Sequence, residues 1–343
     1  MIKINKLFIT TGVILTLTIL TCCTKNLFYL SGSIQEEVEK MIGIGCDGTI
    51  VYVNQSGTST FYSAGWNNRE NQVPADPHSL FKIASISKLY VAAATSKMIA
   101  DQSLSLDNTL EELLPDIAEG IEYSDRITLR MLLQHRSGIP DYTYHPDYPW
   151  DSPFEELSET YTLVLDQPAD FEPNKRYKYS NTNYLLIGEI LDRTLGHTHH
   201  QYIKDEMLNP LGLNNTYSLL SDADIDDVMS GYFVGYEPDI KNNNFIQPGG
   251  SMVATAEDVG IFLRALIDGT LLNAEEQAIY SSVYKYEHTG DLPGYRSIAR
   301  YHVDIDAVVV QFVNTSAENF KYWTKFKRGY NRIIRILEKE HSK

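Results

Sequence analysis

The sequence predicts an α+β fold: an antiparallel sheet flanked by helices, with an all-helical subdomain inserted within it. Three observations carry this expectation. Strand-like segments gather at the two ends of the chain, and the long middle is patterned for helices. The tail strands follow one another across short turns, which antiparallel pairing permits and parallel pairing does not. The N-terminal strand pair then closes the same sheet.

In chain order, "SIQEEVEKMI" (33–42) has the apolar spacing of a short amphipathic helix. "GTIVYVNQSG" and "TSTFYSAGW" read as two strands around a Gly turn. A polar loop, 67–79, leads to "ISKLYVAAATSKMIAD" (86–101), helical by propensity and by the recurrence of Ile86, Leu89, Tyr90, Ala93 and Ala94. From about 104 to 245 the pattern is mostly helical with long polar loops. "TLRMLLQHRSGIP" is a helix stopped by Gly138 and Pro140, and "NTNYLLIGEILDRTLG" is another, ended by Gly196. "TAEDVGIFLRALIDG" is a third, with Thr255 as N-cap and Gly269 at its end. "YKYEHTG", "YRSIARYHV" and "AVVVQFVN" are the tail strands, and "NFKYWTKFKRGYNRIIRILEKE" is a closing amphipathic helix expected to pack on the sheet.

With 343 residues, the chain has enough length for a sizeable core. A net charge of −16 excludes nucleic acid as a partner, because phosphates demand Lys and Arg. Lys3 and Lys6 precede the 14-residue apolar run "LFITTGVILTLTIL", too short for a membrane span and suited to a signal peptide. It ends in "LTCCTK", which resembles the lipobox of bacterial lipoproteins. That implies a signal peptide over 1–23, a lipid-bearing Cys23 (or Cys22), and a location in the cell envelope. A plain secretion signal is the alternative. The domain proper then runs from 33 to 343. Cys46 has no partner for a disulfide and reads as a buried small residue.

Three features carry chemistry. Ser-x-x-Lys occurs at Ser79/Lys82, Ser85/Lys88 and Ser282/Lys285, but only Ser85 opens an Ala-rich helix. There, i and i+3 share a face, so Lys88 points at the Ser85 hydroxyl. Burial lowers a lysine pKa and lets it serve as a base. Taken alone, the pair also fits a solvated lysine beside a capping serine. Tyr179-Ser180-Asn181 lies in a loop before a helix, where a phenol and a carboxamide can enter a cleft; a phenol near an ammonium loses its proton more easily, and Asn181 can hold a substrate amide. His288-Thr289-Gly290 closes a strand. A strand-end Gly admits a substrate backbone, Thr289 can bond a carboxylate, and His288 can supply charge or a proton.

In this order and context the three motifs resemble the serine β-lactamase and penicillin-binding superfamily, in its branch of class C β-lactamases, serine DD-carboxypeptidases, D-amino-acid peptidases and esterases. The resemblance covers about residues 38–315, with flanks such as "LFKIASISK", "MLLQHRSGIPDY", "PGGSMVATAEDVGIFLRALIDG" and "HTGDLPGY". It implies Ser85 as nucleophile of an acyl-enzyme, Lys88 and Tyr179 as proton carriers, and Asn181, His288, Thr289, Gly290 and Asp291 as substrate-binding. The backbone N–H groups of Ser85 and Asp291 would form the oxyanion hole. It implies no cofactor and no metal. Two departures stand out: His288 replaces the Lys of class C enzymes, and Asp291 follows Gly290 where a small neutral residue is usual. A largely neutral His288, with Asp291 adding negative charge if it faces the cleft, disfavours doubly anionic β-lactams.

The expected activity is hydrolysis of a D-amino-acid peptide or related acyl substrate, with peptidoglycan fragments among the candidates. An esterase or class C-like β-lactamase uses the same machinery. A penicillin-binding receptor lipoprotein with little turnover is the reading of another class, separated by turnover against a stoichiometric burst. "HTHH" at 197–200 reads as a surface loop, Gly249-Gly250 lacks the context of a phosphate site, and His135 reads as structural support for the site loop.

Overall fold

The computed structural model describes residues 32–318 and 320–342. Cys22 and Cys23 lie outside them. Helix α1 (Ile34–Gly43) starts at Ser33, whose Oγ accepts the Glu36 N–H at 3.3 Å. Strands β1 (Gly48–Gln55) and β2 (Thr58–Asn68) form a hairpin, and β3 (Val73–Pro74) adds a short edge. Strand β4 (Phe81–Lys82) leads through a 3₁₀ turn (Ala84–Ile86) into α2 (Ser87–Ala100). Helices α3 (Leu129–Leu133) and α4 (Asn181–Leu195), strands β5 (Thr216–Tyr217), β6 (Tyr232–Phe233) and β7 (Val253–Ala254), and helices α5 (Ala256–Asp268) and α6 (Ala274–Val283) come next. The chain closes with β8 (Glu287–Leu292), β9 (Tyr295–His302), β10 (Ala307–Val313), β11 (Thr315–Ser316) and α7 (Phe320–His341).

The main sheet has the order β3-β2-β1-β10-β9-β8, every neighbour antiparallel. The N-terminal pair does close the tail strands: Thr49 stands opposite Val313 and Gln55 opposite Ala307. Both faces are covered. Ile50, Tyr52, Val308, Val310 and Phe312 join the core shared with α2, α4 and α5. Val51, Val53, Val309 and Val313 meet α1 and the Phe326, Tyr330, Ile333 and Leu337 side of α7. This two-sided burial is why "AVVVQFV" is apolar at nearly every position instead of alternating.

Helix α2 lies within the core. From Ser87 to Ser96 it is buried all round, Lys88 included. Such a helix runs through the core. The 104–245 region is helices and loops, tied back at its end by β5, which pairs with β7 beside β4, and by β6, which pairs with β11. Asn273 caps α6, a helix not anticipated from the sequence. Cys46 is buried and free; burial pushes its thiol up to about 12, so it stays protonated.

Candidate active site

Strand β4 delivers the chain to Ser85. Phe81 and Lys82 pair with β7, and the Ile83 N–H extends that ladder to Met252 O at 3.0 Å. Ala84 then takes φ of 53°, a left-handed conformation that costs a non-glycine residue on the order of 1 kcal/mol. Ser87 fixes the corner: its Oγ donates to Ala84 O at 2.7 Å and accepts from the Met252 N–H at 3.2 Å. Ser85 is thereby held in the 3₁₀ turn where α2 begins.

One turn on, Lys88 is fully buried. Its Nζ lies 3.0 Å from Ser85 Oγ, 2.9 Å from Asn181 Oδ1 and 2.6 Å from Gly249 O. An ammonium satisfies all three as a donor. A neutral amine donates to the carboxamide and the carbonyl and turns its lone pair to the Ser85 hydroxyl. Burial lowers the Lys88 pKa to about 7, with the charge of Asp141 acting against the shift. Gly249 permits the close approach: a Cβ there would stand 2.9 Å from Lys88 Nζ and from Tyr184 Cβ.

Tyr179 Oη donates to Ser85 Oγ at 3.0 Å from the side opposite the helix turn. The expectation that its phenol ionises easily is corrected: burial raises its pKa, outweighing the Ser85 hydrogen bond. Tyr179 therefore keeps its proton and donates a hydrogen bond, and Lys88 is the one of the two that titrates nearer neutrality. The platform under Tyr179 is His135, whose ring lies 4.3 Å from the Tyr179 ring. His135 Nδ1 accepts the Ser180 N–H at 3.3 Å and its carbonyl accepts the Lys178 N–H at 3.0 Å. Burial, then the Lys88 charge, holds His135 near 3, so it is neutral support for the loop. Asn181 is engaged at both ends, by Lys88 and by Asp141, which accepts from Asn181 Nδ2 at 3.0 Å.

The third motif occupies β8, the edge of the sheet. Gly290 faces the turn before Ser85 so closely that a Cβ would overlap Ser297 Oγ and Ile83 O. His288 shares that face, 6.2 Å from the Tyr179 ring and stacked on Tyr284 at 6.0 Å. Of the two roles open to it, positive charge is removed and the expected neutrality is reinforced: burial, then the Lys88 charge, lowers its pKa to about 3. Its Nδ1 lies 2.6 Å from Thr289 O. A carbonyl only accepts, so Nδ1 carries the proton and Nε2 remains an acceptor.

Strand alternation sends Thr289 and Asp291 to the other face. The Asp291 carboxylate pairs there with Arg296 Nε at 3.0 Å, and Arg296 lies 5.3 Å over the Trp323 ring of α7. The expected negative charge of Asp291 in the cleft is therefore absent, and Asp291 can serve the site only through its backbone.

The other Ser-x-x-Lys pairs stay apart from this cluster. Lys82 is buried but donates to Asn243 O at 2.7 Å, away from Ser79. Ser282 Oγ caps back onto Ile279 O at the exposed end of α6. "HTHH" is not the plain surface loop expected: His199 is buried, with Nδ1 2.7 Å from Asp192 Oδ1. Sequence reasoning missed Ala84, Asp141 and Gly249. A Gly pair directly after Pro248 and an acid directly after Pro140 were visible signals, but neither names its partner.

The beta-lactamase family profile matches residues 34–282. The chain is 25% identical to Penicillin-binding protein 4* of Bacillus subtilis (strain 168) over 331 residues, covering 84% of this chain and 72% of that protein. Further curated relatives are matched over less than half of their own length. D-amino acid amidase from Ochrobactrum anthropi SV3 superposes with a TM-score of 0.79 at 22% identity, covering 90% of this chain and 98% of that one. A penicillin binding protein from Bacillus halodurans superposes at 0.72 with 21% identity, covering 87% and 99%. At these identities the superpositions show a shared fold.

Proposed function

The chain belongs to the beta-lactamase family, within a superfamily of serine hydrolases, and from that premise we propose that it hydrolyses D-amino-acid amides, peptides or related esters through an acyl-enzyme on Ser85. The observation that carries this reading is the convergence of Lys88 Nζ and Tyr179 Oη on Ser85 Oγ, each at 3.0 Å. Neutral Lys88 takes the Ser85 proton as Oγ attacks the substrate carbonyl. The tetrahedral oxyanion faces the N–H groups of Ser85 and Asp291. Its collapse breaks the bond to the leaving group, which takes a proton from Tyr179 Oη while Lys88 returns one to the phenol. Water then cleaves the ester by the same path in reverse.

His288 shapes the substrate class. A neutral ring offering a lone pair suits an N–H or O–H donor better than a carboxylate. This favours an amide or ester over a doubly anionic β-lactam, and the preference rests on His288 without Asp291. Both the amidase fold neighbour and the penicillin-binding relative are compatible with it.

A fluorophosphonate is expected to label Ser85 once, and Ser85→Ala to stay unlabelled while Ser79→Ala and Ser282→Ala label normally. Labelling elsewhere refutes the nucleophile. D-alanyl amides, D-alanyl peptides, short acyl esters, a penicillin and a cephalosporin are then compared. Faster turnover of an amide, peptide or ester supports the reading, and efficient cephalosporin hydrolysis makes the protein a β-lactamase. A stoichiometric burst without turnover makes it a receptor. We also propose a lipid-anchored protein of the cell envelope. Mass spectrometry of the mature N-terminus is expected to find an acylated Cys23 or Cys22, and an unmodified terminus beyond Thr24 removes that proposal.

A further inference from the structure

The hydrogen bonds that hold Lys88 continue past the groups touching Ser85, and their bearing on catalysis rests on the reading of Ser85 as nucleophile. Asp141 is buried. Its Oδ1 accepts the Thr143 N–H at 3.0 Å and the Thr143 hydroxyl at 2.9 Å. Its Oδ2 accepts from Asn181 Nδ2 at 3.0 Å, and Asn181 Oδ1 in turn accepts from Lys88 Nζ at 2.9 Å.

A carboxamide has one donor end and one acceptor end. An ionised carboxylate only accepts. Asp141 therefore dictates which end of Asn181 meets Lys88. With the amide reversed, its NH₂ would confront the lysine hydrogens. We propose that Asp141 is a positioning residue for the general base: it locks the Asn181 oxygen toward Lys88 and supplies negative charge to the ammonium form of that lysine.

The other groups around Lys88 leave this role to Asp141. Tyr179 and Tyr184 present their rings at 5.2 and 5.5 Å. Both phenols are held protonated by burial. His135, from the loop after α3, and His288, from β8, both feel the Lys88 charge and are both kept neutral by burial. Ser85 and the Gly249 carbonyl carry no charge. Asp141 is the group whose charge acts on Lys88 in the direction of protonation.

Asp141→Asn separates this role from a structural one. The Asn side-chain oxygen still accepts the Thr143 N–H and keeps the turn that Asp141 opens. It has lost the charge, and its NH₂ now faces the Asn181 NH₂. The probe is the rate of Ser85 labelling by a fluorophosphonate from pH 5 to 9, read by intact mass. In the wild type the rate is expected to rise through an inflection near the Lys88 value of about 7. In Asp141→Asn the inflection is expected to fall by about half a pH unit or more, because the ammonium has lost a favourable charge. Thermal stability is expected to stay close to wild type. Asp141→Glu, which restores the charge, is expected to return the inflection toward wild type, and it serves as the test if the Asn variant does not fold. An unmoved or raised inflection in Asp141→Asn, or a Glu variant whose inflection falls as the Asn variant's does, overturns the role of Asp141 alone. A wild type that is never labelled at Ser85 overturns the nucleophile reading and this inference with it.

Discussion

Lys88 shows how one residue's surroundings decide its chemistry. A lysine in water is protonated at neutral pH and cannot act as a base. Buried, with three acceptors around Nζ, it titrates near 7. Below about pH 7 Lys88 is an ammonium and cannot take the Ser85 proton, so kcat/KM is expected to rise with pH through about 7. A profile flat from pH 5.5 to 8.5 would rule out Lys88 as the base. Lys88→Ala and Tyr179→Phe are each expected to lower kcat by at least ~100-fold, the ordinary size of a lost proton carrier. Circular dichroism should show both variants folded. The Ser85/Lys88 pair was legible because i and i+3 meet on a helix. Asp141 was not, because its meeting with Asn181 spans 40 residues of chain. The protonation of Tyr179 was misjudged for a related reason: burial outweighs a neighbouring charge, and burial is a property of the whole fold.

At the scale of elements, the sheet is held between two helical layers, and the outer one is pinned by charge. Arg332 of α7 grips both oxygens of Glu37 on α1, with Nε and Nη2 each at 2.8 Å. Glu37 is 3% exposed, and Lys40 is its further cationic neighbour at 3.5 Å. Arg332→Met is expected to lower stability by about 3 kcal/mol, because it leaves a buried carboxylate short of its main partner. Urea unfolding measures it; a loss below about 0.5 kcal/mol would mean that Lys40 and water suffice. The strands and long helices were readable from period and caps, as with Thr255, which accepts the Asp258 N–H at the start of α5. Helix α6 was passed over although Asn273 and Glu276 form a capping box there. The faces of β8 were also decided by pairing: Arg296, opposite Asp291 in the ladder, draws that carboxylate away from the cleft.

For the whole molecule, two buried lysines make stability depend on pH. Lys82 and Lys88 each titrate near 7 in the folded chain, against about 10.5 for an exposed lysine. A lowered folded pKa means that the unfolded chain binds more protons between those values. Stability is therefore expected to increase from pH 7 toward 9.5, by up to about 1.4 kcal/mol per pH unit for each lysine. Below about 7 the burial penalty is fully present. Lys82→Met should remove part of that slope and leave the Ser85 chemistry intact, since Lys82 bonds the 240–243 loop through Ile240 O and Asn243 O. Urea midpoints at pH 7 and 9 for the two proteins provide the check. Equal slopes would show that Lys82 stays charged in the fold.

By itself the sequence determined the sheet-and-helix layout, the family, and the identity of the three motifs, because each depends on local spacing: period 2 or 3.6, a cap, a Ser and a Lys one turn apart. Tertiary structure alone decided what those motifs are chemically. It brought Ser85, Tyr179 and His288 together across 94 and 109 residues, removed water from Lys88, and left His288 uncharged. It gave the Asp291 charge to Arg296 and placed Asp141 behind Asn181. Charge, burial and hydrogen-bond direction are set by neighbours distant in the chain, and spacing along a sequence does not encode them.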